Sequence, residues 1–359
     1  MSAQALAAAA PEAVAKGSAA RRSLWEFVRE SGLQSLVVGL SKDPNGKLTL
    51  LLVPPGGDRP TLAIKAPTTE RAARAVEAET RMLRELGMKP PGPLLETVPR
   101  VVDVLDFEGR PALVMTAVHG VPMTALYMRA GHTASLGRVA ADFAAAGDWL
   151  ADFQGATCGQ GGPLELDGGV TDNLLSRFGD DAETALDVER LMEIQARLRG
   201  ETVPRTSVHG DLWLGNLLIT RGRVSGVVDW EAGSTSGEPV RDLVRFALMY
   251  GLYLDRRTRP GRRVRGHRGL RAGRRGAALE FAIHGSGWFP ELFRGFIGDG
   301  LARLGASPAA WRDAALAGIA EVAAFTDDPS FGRVHLELFR RLARGGPGQR
   351  QIGSAEDAQ

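Results

Sequence analysis

Cysteine is nearly missing from this sequence: Cys158 is the only one among 359 residues. It can close no internal disulfide and cannot build a cysteine-rich zinc site. A reducing cytoplasm is the simplest setting for such a chain. The six histidines are scattered too widely for any common metal spacing. No run of about 18 apolar residues occurs, which argues against a transmembrane helix. The N-terminus, MSAQALAAAAPEAVAKG, lacks a basic leader and is interrupted by Pro11. It reads as a loose tail or short helix, not a signal peptide. Acid is missing from one stretch. Residues 256–275, RRTRPGRRVRGHRGLRAGRR, hold ten arginines and neither Asp nor Glu, within a chain of net charge +2. Removing those ten charges leaves the rest of the chain at −8, so a mildly acidic body carries one intensely basic segment. That segment has four glycines and neither helical nor strand periodicity. It reads as a mobile, solvated insertion, with the grip of an anionic substrate, or of nucleic acid nonspecifically, as the alternative.

The rest is ordinary for a globular protein: 44% of residues are hydrophobic, enough for a sizeable core. Residues 35–66 read as strands, with DPNG and PPGGDRP as turns. Residues 69–87 read as a helix, and 99–118 as two strands joined at EGR. After residue 119 helical patterns dominate, over 135–155, 172–199, 238–253, 277–283, 290–304 and 308–325. Two lobes follow, with the boundary near 118–122. The expected organisation is a tail over 1–20, a strand-rich lobe over 21–118, a mainly helical lobe over 119–345 and a disordered tail over 346–359.

The chemistry gathers in VHGDLWLGNLLI, residues 208–219, and GVVDWE, residues 226–231. Asp211 lies on a turn between apolar stretches, where a carboxylate can take a hydroxyl proton. Asn216 and Asp229 offer an amide oxygen and a carboxylate, the hard oxygen ligands that Mg²⁺ accepts. The intervening NLLI-TRGR-VSGVVD reads as a hairpin that returns Asp229 to the vicinity of Asn216. Base and metal ligands then converge as metal-assisted phosphoryl transfer requires. His209 belongs to the same set, as a brace for the loop.

HGDLWLGNLL and VVDWE together resemble the catalytic and metal-binding segments of the aminoglycoside phosphotransferase and choline kinase family, relatives of the protein kinases. GEPVRDLVRF extends the resemblance and implies that Asp242 braces the catalytic loop. The family implies an α+β, bilobal, protein-kinase-like fold, with a small antiparallel-sheet N-lobe carrying one helix and a larger, mainly helical C-lobe. TLAIKAP is similar to the kinase strand that ends in the phosphate-binding lysine, here Lys65. On the following helix, at about 100° per residue, Ala72, Ala75, Val76, Met82, Leu83 and Leu86 fall within roughly 60° of Glu79, while Glu77 lies roughly 160° away. Glu79 is therefore an acid in a buried stripe and needs a partner, for which Lys65 is the candidate. The first hairpin, GLSKDPNGKL, would cover the phosphates through Ser41, Lys42 and Asn45. It carries neither a Gly-x-Gly-x-x-Gly loop nor a P-loop. By the same resemblance Met115 and Thr116 line the adenine site, and the backbones of Ala117 and Val118 bond its edge.

The resemblance implies an enzyme that uses ATP, or GTP, with Mg²⁺ to phosphorylate a hydroxyl of a small molecule. An antibiotic of aminoglycoside or nucleoside type, inactivated to give resistance, is the leading acceptor. A metabolic kinase for choline, an amino alcohol or a sugar is the alternative, and a non-catalytic nucleotide-binding scaffold the second. Trp213, Glu231, Trp288, Asp327 and Asp328 are candidate acceptor contacts; Asp327 and Asp328 can equally cap a helix. No specific nucleic acid or membrane is expected as a partner. A cytoplasmic monomer or homodimer is expected.

Overall fold

The computed structural model of the chain describes residues 21–40, 45–89, 92 and 94–344. The tails expected over 1–20 and 346–359 lie outside the described residues, as do Ser41 and Lys42. The chain divides into two compact units. The first comprises residues 1–122, 209–211 and 216–235; the second comprises 123–208, 212–215 and 236–359.

The first unit is built on a five-stranded antiparallel sheet. Its strands are β1 (Gln34–Leu40), β2 (Lys47–Val53), β3 (Leu62–Pro67), β4 (Val101–Phe107) and β5 (Arg110–Thr116), in the order β1-β2-β3-β5-β4. β4 and β5 are joined at Glu108 and Gly109, with φ 52° and 77°. Positive φ at both turn residues matches the twist of a tight hairpin. A helix not expected from the sequence, α1 (Leu24–Ser31), buries Leu24 and Phe27 in the sheet's core with Leu50, Leu52, Ile64 and Val114. The one long helix, α2 (Glu70–Gly87), starts where Thr69 Oγ1 accepts the Ala72 N–H at 3.1 Å. This supplies one of the donors that every helix start leaves unpaired. The unit closes with a second hairpin, Leu217–Thr220 and Arg223–Val227, turned at Arg221 and Gly222 with φ 53° and 78°.

The second unit is mainly helical. The stretch expected as one helix over 172–199 is two, Val170–Phe178 and Ala182–Leu198. The break falls at Gly179, with φ 92°, and Asp181 caps the second helix by accepting from the N–H groups of Glu183 and Thr184. Helices follow at Pro239–Leu252, Ala277–His284, Trp288–Arg303, Trp311–Phe325 and Pro329–Arg344. No helix among the described residues is long and apolar enough to cross a membrane.

The arginine segment differs from its expectation as a mobile insertion. Its backbone closes on itself through Gly261 N–H to Ala272 O at 2.7 Å, Val264 N–H to Leu270 O at 3.0 Å and Ala272 N–H to Arg262 O at 3.0 Å. Val264, His267, Leu270 and Ala272 are buried. His267 Nε2 donates to Thr133 O at 2.8 Å, and Trp288 Nε1 donates to Gly266 O at 3.0 Å. The segment is a fastened loop whose anchors follow neither helical nor strand spacing.

Candidate active site

Lys65 sits near the end of β3, in the run of four buried residues that closes the strand. It is 6% exposed, and Glu79 on α2 is 1% exposed. Glu77 lies at the surface. Lys65 Nζ donates to both Glu79 oxygens at 2.7 Å and also to Asp229 Oδ1. The Trp230 N–H adds a bond to Glu79 Oε1 at 3.3 Å. Burial alone would lower the Lys65 pKa, but Glu79 and Asp229 outweigh it and hold the ammonium above its ordinary value. Lys65 in turn holds the Asp229 carboxyl below the usual carboxylate range. One ammonium between two carboxylates leaves the cluster with a net negative charge, which suits a cation.

Asp229 has φ 66° and ψ 61°, the left-handed region that few non-glycine residues occupy. Such strain persists only where the surroundings over-determine it, and here they do. The hairpin pairs Leu217 with Val227, and the Val228 N–H bonds Asn216 O at 3.0 Å. Asn216, which is buried, donates from Nδ2 to Asp211 O at 3.0 Å. That leaves its Oδ1 as the remaining acceptor. His209 Nε2 donates to Val228 O at 2.8 Å, and its Nδ1 accepts the Asp211 N–H at 3.3 Å. A carbonyl only accepts and an N–H only donates, so in this arrangement Nε2 carries the proton and Nδ1 accepts. It is fully buried with its ring 4.7 Å from that of Trp230. His209 thus ties the 209–216 loop to the Asp229 segment and has no nitrogen left for proton transfer. Asp211 is half-buried beside it.

Several other expected contacts fall elsewhere. Glu231 bonds Asn45 Nδ2 at 3.1 Å and pairs with Lys47 Nζ, so its carboxylate is occupied by the first hairpin. Lys47 was not singled out in the sequence, because a lysine opening a strand usually reads as solvated; here it is buried. The Ala117 N–H is bonded to Thr61 O at 3.0 Å, so that donor is spent inside the sheet and cannot bond an adenine edge. Met115 is buried in β5, and Thr116 ends it. A cavity of about 630 Å³ touches Thr116, Ala117 and Val118, but neither Lys65 nor Asp229 lines it. The Trp213 ring lies against Gly215, where an added Cβ would approach it to 2.3 Å. Trp288 serves the arginine loop instead of standing on an open loop. Asp328 caps the last helix, its Oδ1 accepting from Ser330 N–H at 2.8 Å and Phe331 N–H at 3.1 Å, with Asp327 just before it. Asp242 is buried in the first turn of Pro239–Leu252.

For a metal, the donor set present is the Asn216 amide oxygen and the Asp229 carboxylate. No group of three or more His, Cys, Asp or Glu with metal-holding geometry occurs among the described residues. Two protein oxygens fit Mg²⁺, which usually takes its other ligands from phosphate and water.

Residues 50–279 match the sequence pattern of the phosphotransferase enzyme family known as APH. The chain belongs to that family. No curated protein matches it significantly by sequence. Its fold is similar to that of a thermostable mutant of aminoglycoside phosphotransferase APH(4)-Ia, solved in ternary complex with ADP and hygromycin B. The TM-score is 0.55 at 13% identity, covering 90% of this chain and 99% of that one. ADP-bound aminoglycoside phosphotransferase APH(2'')-Ib gives a TM-score of 0.50 at 13% identity, covering 89% and 97%. Membership of the family makes this chain a phosphotransferase. The two likenesses establish the α+β, kinase-like fold.

Proposed function

We propose that this phosphotransferase moves the γ-phosphate of ATP to a hydroxyl of a small molecule, with an antibiotic of aminoglycoside or nucleoside type as the leading acceptor. The observation that carries the reading is Lys65 held between Glu79 and Asp229, beside an Asn216 that is bonded to the Asp211 backbone. Lys65 would meet the phosphates, positioned by Glu79. Asn216 and Asp229 would hold Mg²⁺, which when bound neutralises charge on the phosphates. Asp211 would accept the proton of the acceptor hydroxyl as its oxygen bonds phosphorus and the ADP oxygen leaves. His209 would keep the Asp211 loop in register with the Asp229 segment. The acidic balance outside the arginine segment favours cationic acceptors.

The test is a panel of aminoglycosides, nucleosides, choline and sugars incubated with the protein, ATP and Mg²⁺ and read by mass spectrometry. The gain of one phosphate on an antibiotic hydroxyl is the expected result. Phosphate gained only on choline or a sugar would make the enzyme metabolic. Nucleotide binding with no phosphate transferred to any acceptor, and no slow ATP hydrolysis, would make the protein a scaffold.

A further inference from the structure

The fastened arginine loop walls two cavities in the helical unit, of about 530 Å³ and about 160 Å³. They share Tyr253, Arg256 and Thr258. The smaller is lined by four arginines, Arg129, Arg256, Arg257 and Arg265, and by no carboxylate among the described residues. The larger has apolar walls at Leu252, Phe331 and Val334, and Asp255 is its one acid. The other 339 residues carry a net charge of −8, yet Arg129, Arg257 and Arg265 pair with no carboxylate among the described residues. Arg274, in the larger cavity, is by contrast paired with Glu280. Arg256 lies over the Tyr253 ring at 5.3 Å.

Unpaired arginines on a floppy segment would be a solvated surface. These are held. The loop is tied to the opposite wall of the smaller cavity: His267 bonds the carbonyl of Thr133, and Thr133 and Ala134 both line that cavity. Gly266, at φ 81°, passes so near Ala134 that a Cβ there would lie 2.7 Å from its backbone. The backbone that carries Arg256, Arg257 and Arg265 is thus ordered in advance, although their side chains are exposed, and part of the ordering cost of binding is met before a ligand arrives. At roughly 30 Å³ per water the smaller cavity has room for about five waters, enough for a tetrahedral oxyanion but too little for a drug-sized body. The larger cavity has that room, with an aromatic ring on the shared wall.

We propose that the two cavities form one binding site for a phosphate or sulfate monoester, its anionic group among the arginines of the smaller cavity and its planar, apolar body in the larger. The site shares no residue with the Lys65 cluster and does not depend on the phosphotransfer reading. Arginine suits the role because its planar fork makes two parallel bonds to a tetrahedral oxyanion.

The test is calorimetric titration of the full chain with phenyl phosphate and phenyl sulfate, with excess Mg²⁺ and a non-hydrolysable ATP analogue occupying the nucleotide site. One saturable site is expected, competed by inorganic phosphate, with phenol not binding. The double variant Arg257→Gln/Arg265→Gln should weaken binding by more than about tenfold. Arg263→Gln/Arg268→Gln removes the same charge from the same loop at positions that line neither cavity, and should stay within about twofold. Equal weakening by the two double variants, the behaviour of a diffuse basic surface that serves a polyanion, would overturn the proposal. So would the lack of a saturable site for both esters in the unmodified protein.

Discussion

Gly210 and Ala232 approach so closely that a Cβ on Gly210 would lie 2.1 Å from the Ala232 carbonyl oxygen. The glycine of HGD is therefore a packing requirement of the WEA turn, in addition to its φ of 79°. Gly210→Ala is expected to cost about 2–4 kcal/mol and lower Tm by roughly 5–10 °C. Gly222→Ala is the control: its φ is 78°, but nothing lies within 4 Å of the added atom. Only conformational strain of about 1–2 kcal/mol is expected there. Differential scanning calorimetry of the two variants checks the contrast, and equal losses would refute it.

Asp211→Asn is expected to lower kcat by about 10²–10⁴-fold while nucleotide affinity stays within about twofold. The Asp211 backbone bonds to His209 and Asn216 do not involve the carboxylate, so the loop should persist. A fall in kcat of less than about tenfold would remove Asp211 from the role of base.

Asp229→Ala should abolish the strengthening of nucleotide binding by Mg²⁺, because it removes one of two proposed ligands and the second carboxylate on Lys65. Titrations with and without Mg²⁺ measure this. An unchanged Mg²⁺ effect would exclude Asp229 as a ligand.

His335 is 2% exposed, and burial pushes its pKa down to about 4 from an ordinary value of 6.5. Its Nδ1 is bonded to Phe331 O at 2.9 Å. Between those two values the unfolded chain binds a proton that the folded one refuses, so stability falls as pH is lowered from 6.5 towards 4. The slope approaches about 1.4 kcal/mol per pH unit. His335→Gln should flatten that part of the stability–pH curve. Parallel curves for the two proteins would show that His335 does not set it.

Replacing residues 256–275 by a short Gly/Ser linker should lower Tm, since it removes the buried Val264, His267 and Leu270. A solvated insertion would leave Tm unchanged. Here the sequence misled for a physical reason. Anchors at 264, 267, 270 and 272 suit an irregular loop that turns at Gly261, Gly266, Gly269 and Gly273, all at positive φ, and a fixed period cannot detect that. The two hairpins at EGR and TRGR were legible because their turns carry their own chemistry. Glu79 was legible because its helix is long enough to define a face. α1 has an apolar face at Leu24, Phe27 and Val28, but at eight residues it is shorter than the 11–18 residues over which a helical period stands out. Lys47, Glu231 and the spent Ala117 N–H escaped because they depend on partners distant in sequence, which only the folded chain discloses.

The sheet unit is assembled from pieces that are not consecutive: residues 1–122, then 209–211, then 216–235. A ribosome that has released residue 122 has supplied all five strands of the main sheet and both members of the Lys65–Glu79 pair, but not Asp229. The hairpin that brings Asp229 is made only after residues 123–208 of the other unit have emerged. This half of the enzyme is therefore completed only after part of the other half has been made. Severed after residue 122, it would keep the Lys65–Glu79 pair in sequence and lose the second carboxylate on Lys65.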